Sequence, residues 1–103
     1  MFVILITYKK PLAVIDEYLE AHREFLAQCY KNNQFIVSGP AVPRVGGIII
    51  SQLSDRKQVE ELIKKDPFAA NDLASYAIHE FMPTKYHENF TTFVNQYHDV
   101  LEK

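Results

Sequence analysis

The sequence predicts an α+β domain in which two helices cover one face of a four-stranded antiparallel sheet. Three observations support this fold class. β-Branched, apolar runs alternate with amphipathic segments, turn-forming residues separate them, and the resulting order of elements is βαββαβ. This order is that of the split βαβ, or ferredoxin-like, arrangement. With 103 residues, the chain has room for one such domain around a small core.

The first half of the chain predicts a strand, a helix and a second strand. Residues 2–8 are β-branched and aromatic, which is typical of a central strand. Apolar residues then recur at steps of three and four over residues 12–30, so we expect one amphipathic helix there. Residues 34–37 predict the second strand. We expect Ser38-Gly39-Pro40 to end it, because glycine and proline interrupt regular structure.

The second half predicts a hairpin connection, a third strand and a fourth strand, at residues 41–47, 48–53 and 75–81. Between the last two strands, Ser54 is expected to cap a second helix, and Asp55 supplies an acid for its first turn. The residue before a proline is driven towards extended backbone angles, so Asp66 must leave the helix at Pro67. We expect a short turn over residues 68–73.

A helical spacing of apolar residues resumes after Pro83. We therefore divide the chain into a ferredoxin-like domain over residues 1–85 and a helical tail over residues 86–103. The second face of the predicted sheet needs a cover. Either the tail packs on its own sheet, or it packs on a partner.

Composition argues against several classes of partner. The chain has 11 Lys and Arg against 13 Asp and Glu, which gives no basic stripe for successive phosphates, so we expect no nucleic acid partner. The apolar N-terminal run is too short to span a membrane, and no later segment is longer, so we expect no membrane partner. Cys29 is a single cysteine on the inward side of the first helix. We interpret it as an inert core thiol in a cytoplasmic protein.

His22 is the first candidate for chemistry, because it occupies an inward position of the first helix where leucine would be usual. One interpretation is a core histidine bonded to a carbonyl. The other is an acid and base whose tautomer is fixed by a carboxylate on one ring nitrogen. Asp66 is the candidate carboxylate, because the turn at Pro67 leaves its side chain free. It could equally be a turn or cap residue.

The hairpin region supplies a second group of candidates. Ser38 and Gly39 at the end of the second strand, together with Arg44, place a hydroxyl, backbone amides and a guanidinium close along the chain. Arg44 could bind a carboxylate or phosphate through its planar fork. The alternative is that the glycine serves turn geometry and Arg44 is a solvated charge. Tyr8, Tyr18 and Tyr76 are further candidate donors in a pocket, and we include Tyr8 among the substrate-binding residues. The alternative is that tyrosines in such a small domain serve for packing.

Metal and nucleotide sites are not predicted. The sequence has no G-x-G-x-x-G, no P-loop and no H-E-x-x-H, and His79, His87 and His98 are too far apart along the chain to form one helical metal motif. We therefore expect no metal and no cofactor.

Together, His22, Ser38-Gly39-Pro40 and Asp66-Pro67-Phe68-Ala69-Ala70 resemble the YCII-related (YciI-like) family over roughly residues 1–85. The resemblance implies a fold of the dimeric α+β barrel type, hence a homodimer, with His22 and Asp66 paired in a cleft. The chain departs from the family pattern at Asn71-Asp72, where many members have glycine, and in its extension after Lys85.

The residues and the resemblance lead to two hypotheses. The first is a cofactor-independent lyase or isomerase acting on a small molecule of unknown identity. In it His22 moves a proton, Asp66 orients the imidazole, and Ser38, Gly39, Arg44 and Tyr8 bind the substrate. The second is a non-catalytic dimeric module that binds a small ligand or a protein. In that case the His–Asp pair only holds a helix to the sheet.

Overall fold

The structure, a computed structural model that describes residues 1–97, contains strands and helices in the predicted order. The strands are β1 (Phe2–Tyr8), β2 (Phe35–Pro40), β3 (Gly46–Ser51) and β4 (Ala74–Glu80). The α-helices are α1 (Leu12–Glu17), α2 (Leu19–Lys31), α3 (Arg56–Ile63) and α4 (Pro67–Ala70). A 3₁₀ helix, which we call the tail helix, follows at Glu88–Tyr97.

The four strands form one antiparallel sheet in the order β2-β3-β1-β4. β1 is central, as its sequence predicts, and its side chains alternate between the two faces. Phe2, Ile4 and Ile6 are buried on the inner face, where they form the core with residues of all four α-helices. This confirms the ferredoxin-like α+β fold.

The helix predicted over residues 12–30 is interrupted. Tyr18, with φ −107° and ψ 3°, separates α1 from α2. Its amide bonds to the carbonyl of Ile15, three residues earlier, so the chain turns more tightly there than an α-helix does. The inward positions stay buried on both sides of the break: Ile15 on α1, and His22 and Cys29 on α2.

Two local predictions around α3 and α4 are wrong. Asp55, not Ser54, is the N-cap of α3; its extended backbone lets its carboxylate accept the amide of Lys57 at 2.9 Å. The segment predicted as a turn after Asp66 forms α4. Asp66 caps this helix and Pro67 takes its first position, where the fixed φ of proline suits a helix.

The boundaries of three strands also differ, and those of β4 (Ala74–Glu80) do so by one residue at each end. β2 runs through Ser38-Gly39-Pro40 rather than ending before it, and Pro40 pairs with Gly47 of β3. β2 is an edge strand. Proline, which has no backbone N–H, is tolerated there because the outer side of an edge strand has no neighbouring strand to bond. β3 begins at Gly46, two residues earlier than predicted, and continues the hairpin from β2.

The tail helix packs on the outer face of its own sheet. Val94 and Tyr97 are buried there against a cluster that includes Ile36 of β2 and Ile50 of β3. The hydroxyl of Tyr97 also donates to the carbonyl of Leu53 at 3.2 Å. Of the two covers left open by the sequence, the tail helix therefore takes its own sheet. The last six residues of the predicted tail, 98–103, lie outside the described residues.

Crossing a membrane requires a helix of sufficient length and apolar character, and none of the helices within residues 1–97 has both.

Candidate functional site

His22 and Asp66 are in contact, although 44 residues separate them in the chain. α2 carries His22 on its buried side, and the turn out of α3 places Asp66 at the start of α4. Nδ1 of His22 lies 2.8 Å from Oδ1 of Asp66. With Asp66 ionised, Nδ1–H donates to the carboxylate, and this fixes the tautomer in which Nε2 carries the lone pair.

Asp66 is a fully buried carboxylate with three hydrogen-bond donors around it. Besides His22, the backbone amide of Phe68 donates to Oδ1 at 3.0 Å, and the hydroxyl of Tyr76 donates to Oδ2 at 2.7 Å. A buried charge without such partners would be strongly destabilising. The donors come from α2, α4 and β4, so the carboxylate links three elements of the fold.

The ring of Phe68 fixes the plane of the imidazole. It stacks on His22 with a centroid separation of 4.1 Å and an interplanar angle of 9°. Tyr8 packs edge-on against the other side of this arrangement, 5.9 Å from the Phe68 ring centroid. Stacking and the Nδ1 hydrogen bond together leave the imidazole a single orientation.

A cavity of about 340 Å³ opens beside His22. Apolar side chains of β1, α2, β3 and α4 form most of its walls, as is typical of small-molecule sites. His22 lines the cavity, whereas Asp66 is not among the lining residues and lies behind the imidazole.

The second ring nitrogen of His22, Nε2, keeps some exposure to solvent. Within residues 1–97, no buried side-chain nitrogen or oxygen lacks a hydrogen-bond partner. The hydrogen bond of the His22 ring is made by Nδ1. Nε2 is therefore not fully enclosed, and His22 is a residue of the cavity lining.

All four residues predicted to bind a substrate line the same cavity: Tyr8, Ser38, Gly39 and Arg44. Ser38 and Tyr30 share a hydrogen bond between their hydroxyl groups. Arg44 donates from Nη2 to Oδ1 of Asp16 at 2.6 Å, and this bond raises the pKa of the guanidinium. Arg44 and Asp16 therefore form an ion pair at the surface, in which the Arg44 side chain stays 34% exposed.

The sequence offers Tyr76 as a candidate donor without relating it to Asp66, and it does not predict Phe68 and Arg23 as parts of the site. Burial, together with the charge of Asp66, raises the pKa of Tyr76, so its hydroxyl stays a donor. The alternation of β4 was the available signal, because Tyr76 shares the inner face with Ala74 and Ile78. Arg23 adds a second cation to the cavity lining from an otherwise exposed position of α2.

Cys29 lies in the core, apart from the cavity lining, and is 2% exposed. Burial and the charge of Asp66 raise its pKa to about 11, so the thiol is protonated at neutral pH. In the part of the chain that the structure describes, no three His, Cys, Asp or Glu side chains form a group that could hold a metal ion.

Comparison with known proteins gives a fold relative and a family. The 5-chloro-2-hydroxyhydroquinone dehydrochlorinase of Burkholderia phenoliruptrix, solved in complex with 2,5-dihydroxybenzoquinone, superposes with a TM-score of 0.67. It is 18% identical, over 86% of this chain and 98% of that one, a likeness that shows a shared fold. No curated protein sequence matches the chain. The YCII-related domain matches residues 1–82, which is most of the chain. The chain therefore belongs to the YCII-related family.

Proposed function

We propose that the protein is a cofactor-independent enzyme, a lyase or isomerase, in which Nε2 of His22 moves a proton on a small organic anion. The observation that carries the proposal is the arrangement of the His22 ring. Asp66 holds Nδ1 at 2.8 Å, and the opposite nitrogen faces a cavity large enough for a small molecule. Such a ring is prepared to accept a proton on the cavity side and to be stabilised as imidazolium by the carboxylate behind it.

The proton transfer balances without a redox partner. In an elimination, Nε2 takes a proton from the substrate, the electron pair of that bond forms a new double bond, and the leaving group departs with its own electron pair. The imidazolium then returns its proton to water or to the leaving group. In an isomerisation, the same proton returns to a different atom of the substrate. Acid and base catalysis of this kind contributes about 10²–10⁴-fold to a rate.

Arg44 and Arg23 favour an anionic substrate. Both cations line the cavity, and none of the residues lining it is an aspartate or glutamate. Arg44 already binds the carboxylate of Asp16, so its fork is oriented before a ligand arrives. We propose that Arg44 binds the anionic group, and that Tyr8 and Ser38 donate to oxygens of the substrate. Gly39 leaves the wall open, because an ideal Cβ at this position would meet no atom within 4 Å.

The first experiment needs no substrate. An NMR titration follows the imidazole of His22 in the wild-type protein, in Asp66→Asn and in His87→Ala, an exposed histidine outside the site. The proposal predicts that His22 titrates with solvent. Removing the negative charge of Asp66 should change the response of the His22 signals to pH, because a neighbouring carboxylate favours the protonated imidazole. His87→Ala should leave it unchanged. A His22 that does not titrate, or that ignores Asp66, would make the pair structural and leave a binding module.

A second experiment measures turnover. The substrate of the similar dehydrochlorinase, 5-chloro-2-hydroxyhydroquinone, is the first probe, and chloride release is the assay. If the probe is accepted, His22→Ala should reduce kcat by about 10²–10⁴-fold, and Arg44→Gln should act mainly on KM. Full turnover by His22→Ala would refute the proposed role of the imidazole.

We also propose a homodimer formed through the outer face of the sheet. Leu5 and Ile48 are opposite one another on β1 and β3, 38% and 44% exposed, on the part of this face next to the tail helix cluster. A second copy would cover them in a two-fold interface. Sedimentation velocity should show a dimer that Leu5→Lys dissociates. Val42→Lys, at a 97% exposed loop position, is the matched control. A monomeric wild-type protein would refute this proposal.

We also propose the division of the chain into a domain over residues 1–85 and a tail over residues 86–103. All residues that line the cavity belong to the first part. We further propose a cytoplasmic location, because the unpaired thiol of Cys29 suits a reducing compartment.

A further inference from the structure

Asp66 presents its two carboxylate oxygens to different partners. Oδ1 faces Nδ1 of His22 and the amide of Phe68, whereas Oδ2 accepts from the hydroxyl of Tyr76 at 2.7 Å. The carboxylate side chain is only 1% exposed, so solvent does not compete for either oxygen. A partial rotation of the carboxylate would carry both oxygens away from these donors, whereas a half turn only exchanges two equivalent oxygens. The orientation of Asp66 therefore depends on donors at both ends.

Tyr76 is well placed to hold the far oxygen. It lies on β4, an edge strand, where its backbone is paired with Ile6 of the central strand β1. Its ring packs against the core. A hydroxyl supplied by a strand is thus fixed relative to α2 and α4, which carry the other members of the cluster. The hydroxyl keeps its proton, because burial and the Asp66 charge raise the pKa of Tyr76.

We propose that Tyr76 is a positioning residue of the site. Its hydroxyl holds Oδ2 of Asp66 so that Oδ1 keeps His22 in the Nδ1–H tautomer with Nε2 as the base. The functional meaning of this role rests on the proposed proton transfer by His22. Its structural content, the coupling of Tyr76 to the His22 tautomer through Asp66, is independent of any substrate.

Loss of the hydroxyl has a defined consequence. In Tyr76→Phe, Oδ2 is left buried without its donor, and the carboxylate gains by turning towards another donor or an entering water. Oδ1 then no longer faces Nδ1 in every molecule. The share of His22 protonated at Nδ1 should fall, and the influence of Asp66 on the imidazole should weaken.

The test compares Tyr76→Phe with Tyr18→Phe by ¹⁵N NMR of the His22 ring. Tyr18 packs against the same core, so its variant controls for the loss of a hydroxyl from this region. Tyr76→Phe should move the ring ¹⁵N shifts towards those of a tautomer mixture. It should also change the response of the His22 signals to pH, because a carboxylate that turns away influences the imidazole less. Tyr18→Phe should do neither. In the Asp66→Ala background, which has no carboxyl oxygen for either residue, Tyr76→Phe should have no further effect on His22.

Several results would overturn the proposal. It fails if Tyr76→Phe leaves the His22 tautomer and its response to pH as they are in the wild type, or if it has the same effect in the Asp66→Ala background. If Tyr76→Phe does not fold, the wild-type protein with ¹³Cζ-labelled tyrosine decides instead. Tyr76 should then stay protonated at a pH where exposed tyrosines ionise, and Asp66→Asn should bring its titration closer to theirs. A Tyr76 unaffected by Asp66→Asn would refute the contact.

Failure of the proposed function gives a different pattern. A ring that keeps the Nδ1–H tautomer but turns over no substrate would argue against proton transfer, while the response to Tyr76→Phe would still report the positioning role.

Discussion

Gly46 is the position where the fold leaves least room, and its replacement by alanine gives a sharp test of the sheet. Gly46 begins β3 and is paired with Thr7 of β1. An ideal Cβ built on Gly46 would lie 1.7 Å from the carbonyl oxygen of Ile6 and 2.7 Å from its carbonyl carbon. Real Cβ atoms essentially never approach another atom closer than 3.0 Å. The clash is with backbone, so no side-chain rotation relieves it, and the strands must separate locally by more than an ångström.

The cost of Gly46→Ala follows from this displacement. Overpacking costs about 1–3 kcal/mol. A separation of more than an ångström also weakens one or two ladder hydrogen bonds, each worth about 1 kcal/mol. We expect a loss of roughly 3 kcal/mol, which for a domain of this size lowers Tm by about 10–20 °C. The free energy of unfolding is measured by urea denaturation, and Tm by calorimetry.

Gly39→Ala is the matched control on the other strand of the same hairpin. An ideal Cβ at Gly39 meets nothing within 4 Å, so alanine should be tolerated and change stability by less than about 1 kcal/mol. If Gly46→Ala unfolds at the same urea concentration as the wild type, the close approach of β3 to Ile6 is wrong. Equal destabilisation by both variants would also refute the argument, because it would reflect the hairpin backbone rather than this contact.

Two further predictions concern the interior of the site. Phe68→Leu should retain the fold at a cost below about 1.5 kcal/mol in the free energy of unfolding. It removes the phenyl ring that stacks on His22, so NMR relaxation should show a more mobile imidazole. An imidazole as rigid as in the wild type would contradict the role of the stack. The pKa of Cys29 is raised from 9.0 to about 11, so the folded state holds the thiol proton more tightly than the unfolded state does. The stability that this gives is complete below pH 9 and is lost as the pH rises from 9 to 11. The free energy of unfolding, measured by urea denaturation, should therefore fall across that window more steeply than in Cys29→Ala. Iodoacetamide should also modify native Cys29 far more slowly at pH 8 than the unfolded chain, and comparable rates would mean that the thiol is not buried.

Much of the fold could be predicted from the sequence, because most elements carry their own pattern. The β-branched and aromatic residues of β1 predict a strand over residues 2–8, and the structure has the same two ends. The break at Tyr18 is not visible in this way, because apolar residues keep the same spacing on either side of one tight turn. The sequence predicts that β2 ends before Pro40, because proline usually ends a strand. The place of Pro40 in β2 depends on β2 lying at the edge, which is a property of the whole sheet.

The candidate site was only partly accessible for a related reason. His22 is unusual for its position on a helix, and that is a local signal. Its contact with Asp66 depends on the packing of α2 against α4, and the family resemblance, rather than the spacing, favoured it. Tyr76 requires a third element, β4, to be placed correctly before its hydroxyl can be related to Asp66. Residues whose role depends on three elements are the least predictable from a single sequence.

The triple contact of Asp66 restricts which side chain can occupy that position. Asparagine offers one acceptor oxygen and an amide NH₂, so either Tyr76 or His22 would face a competing donor instead of an acceptor. Glutamate keeps both oxygens, but its extra methylene moves them away from the amide of Phe68 that opens α4. Leucine would fill the volume and leave three donors without an acceptor. Among these residues, only aspartate both caps α4 and accepts from the imidazole. A substitution of Asp66 that retunes His22 would therefore also remove the N-cap of α4.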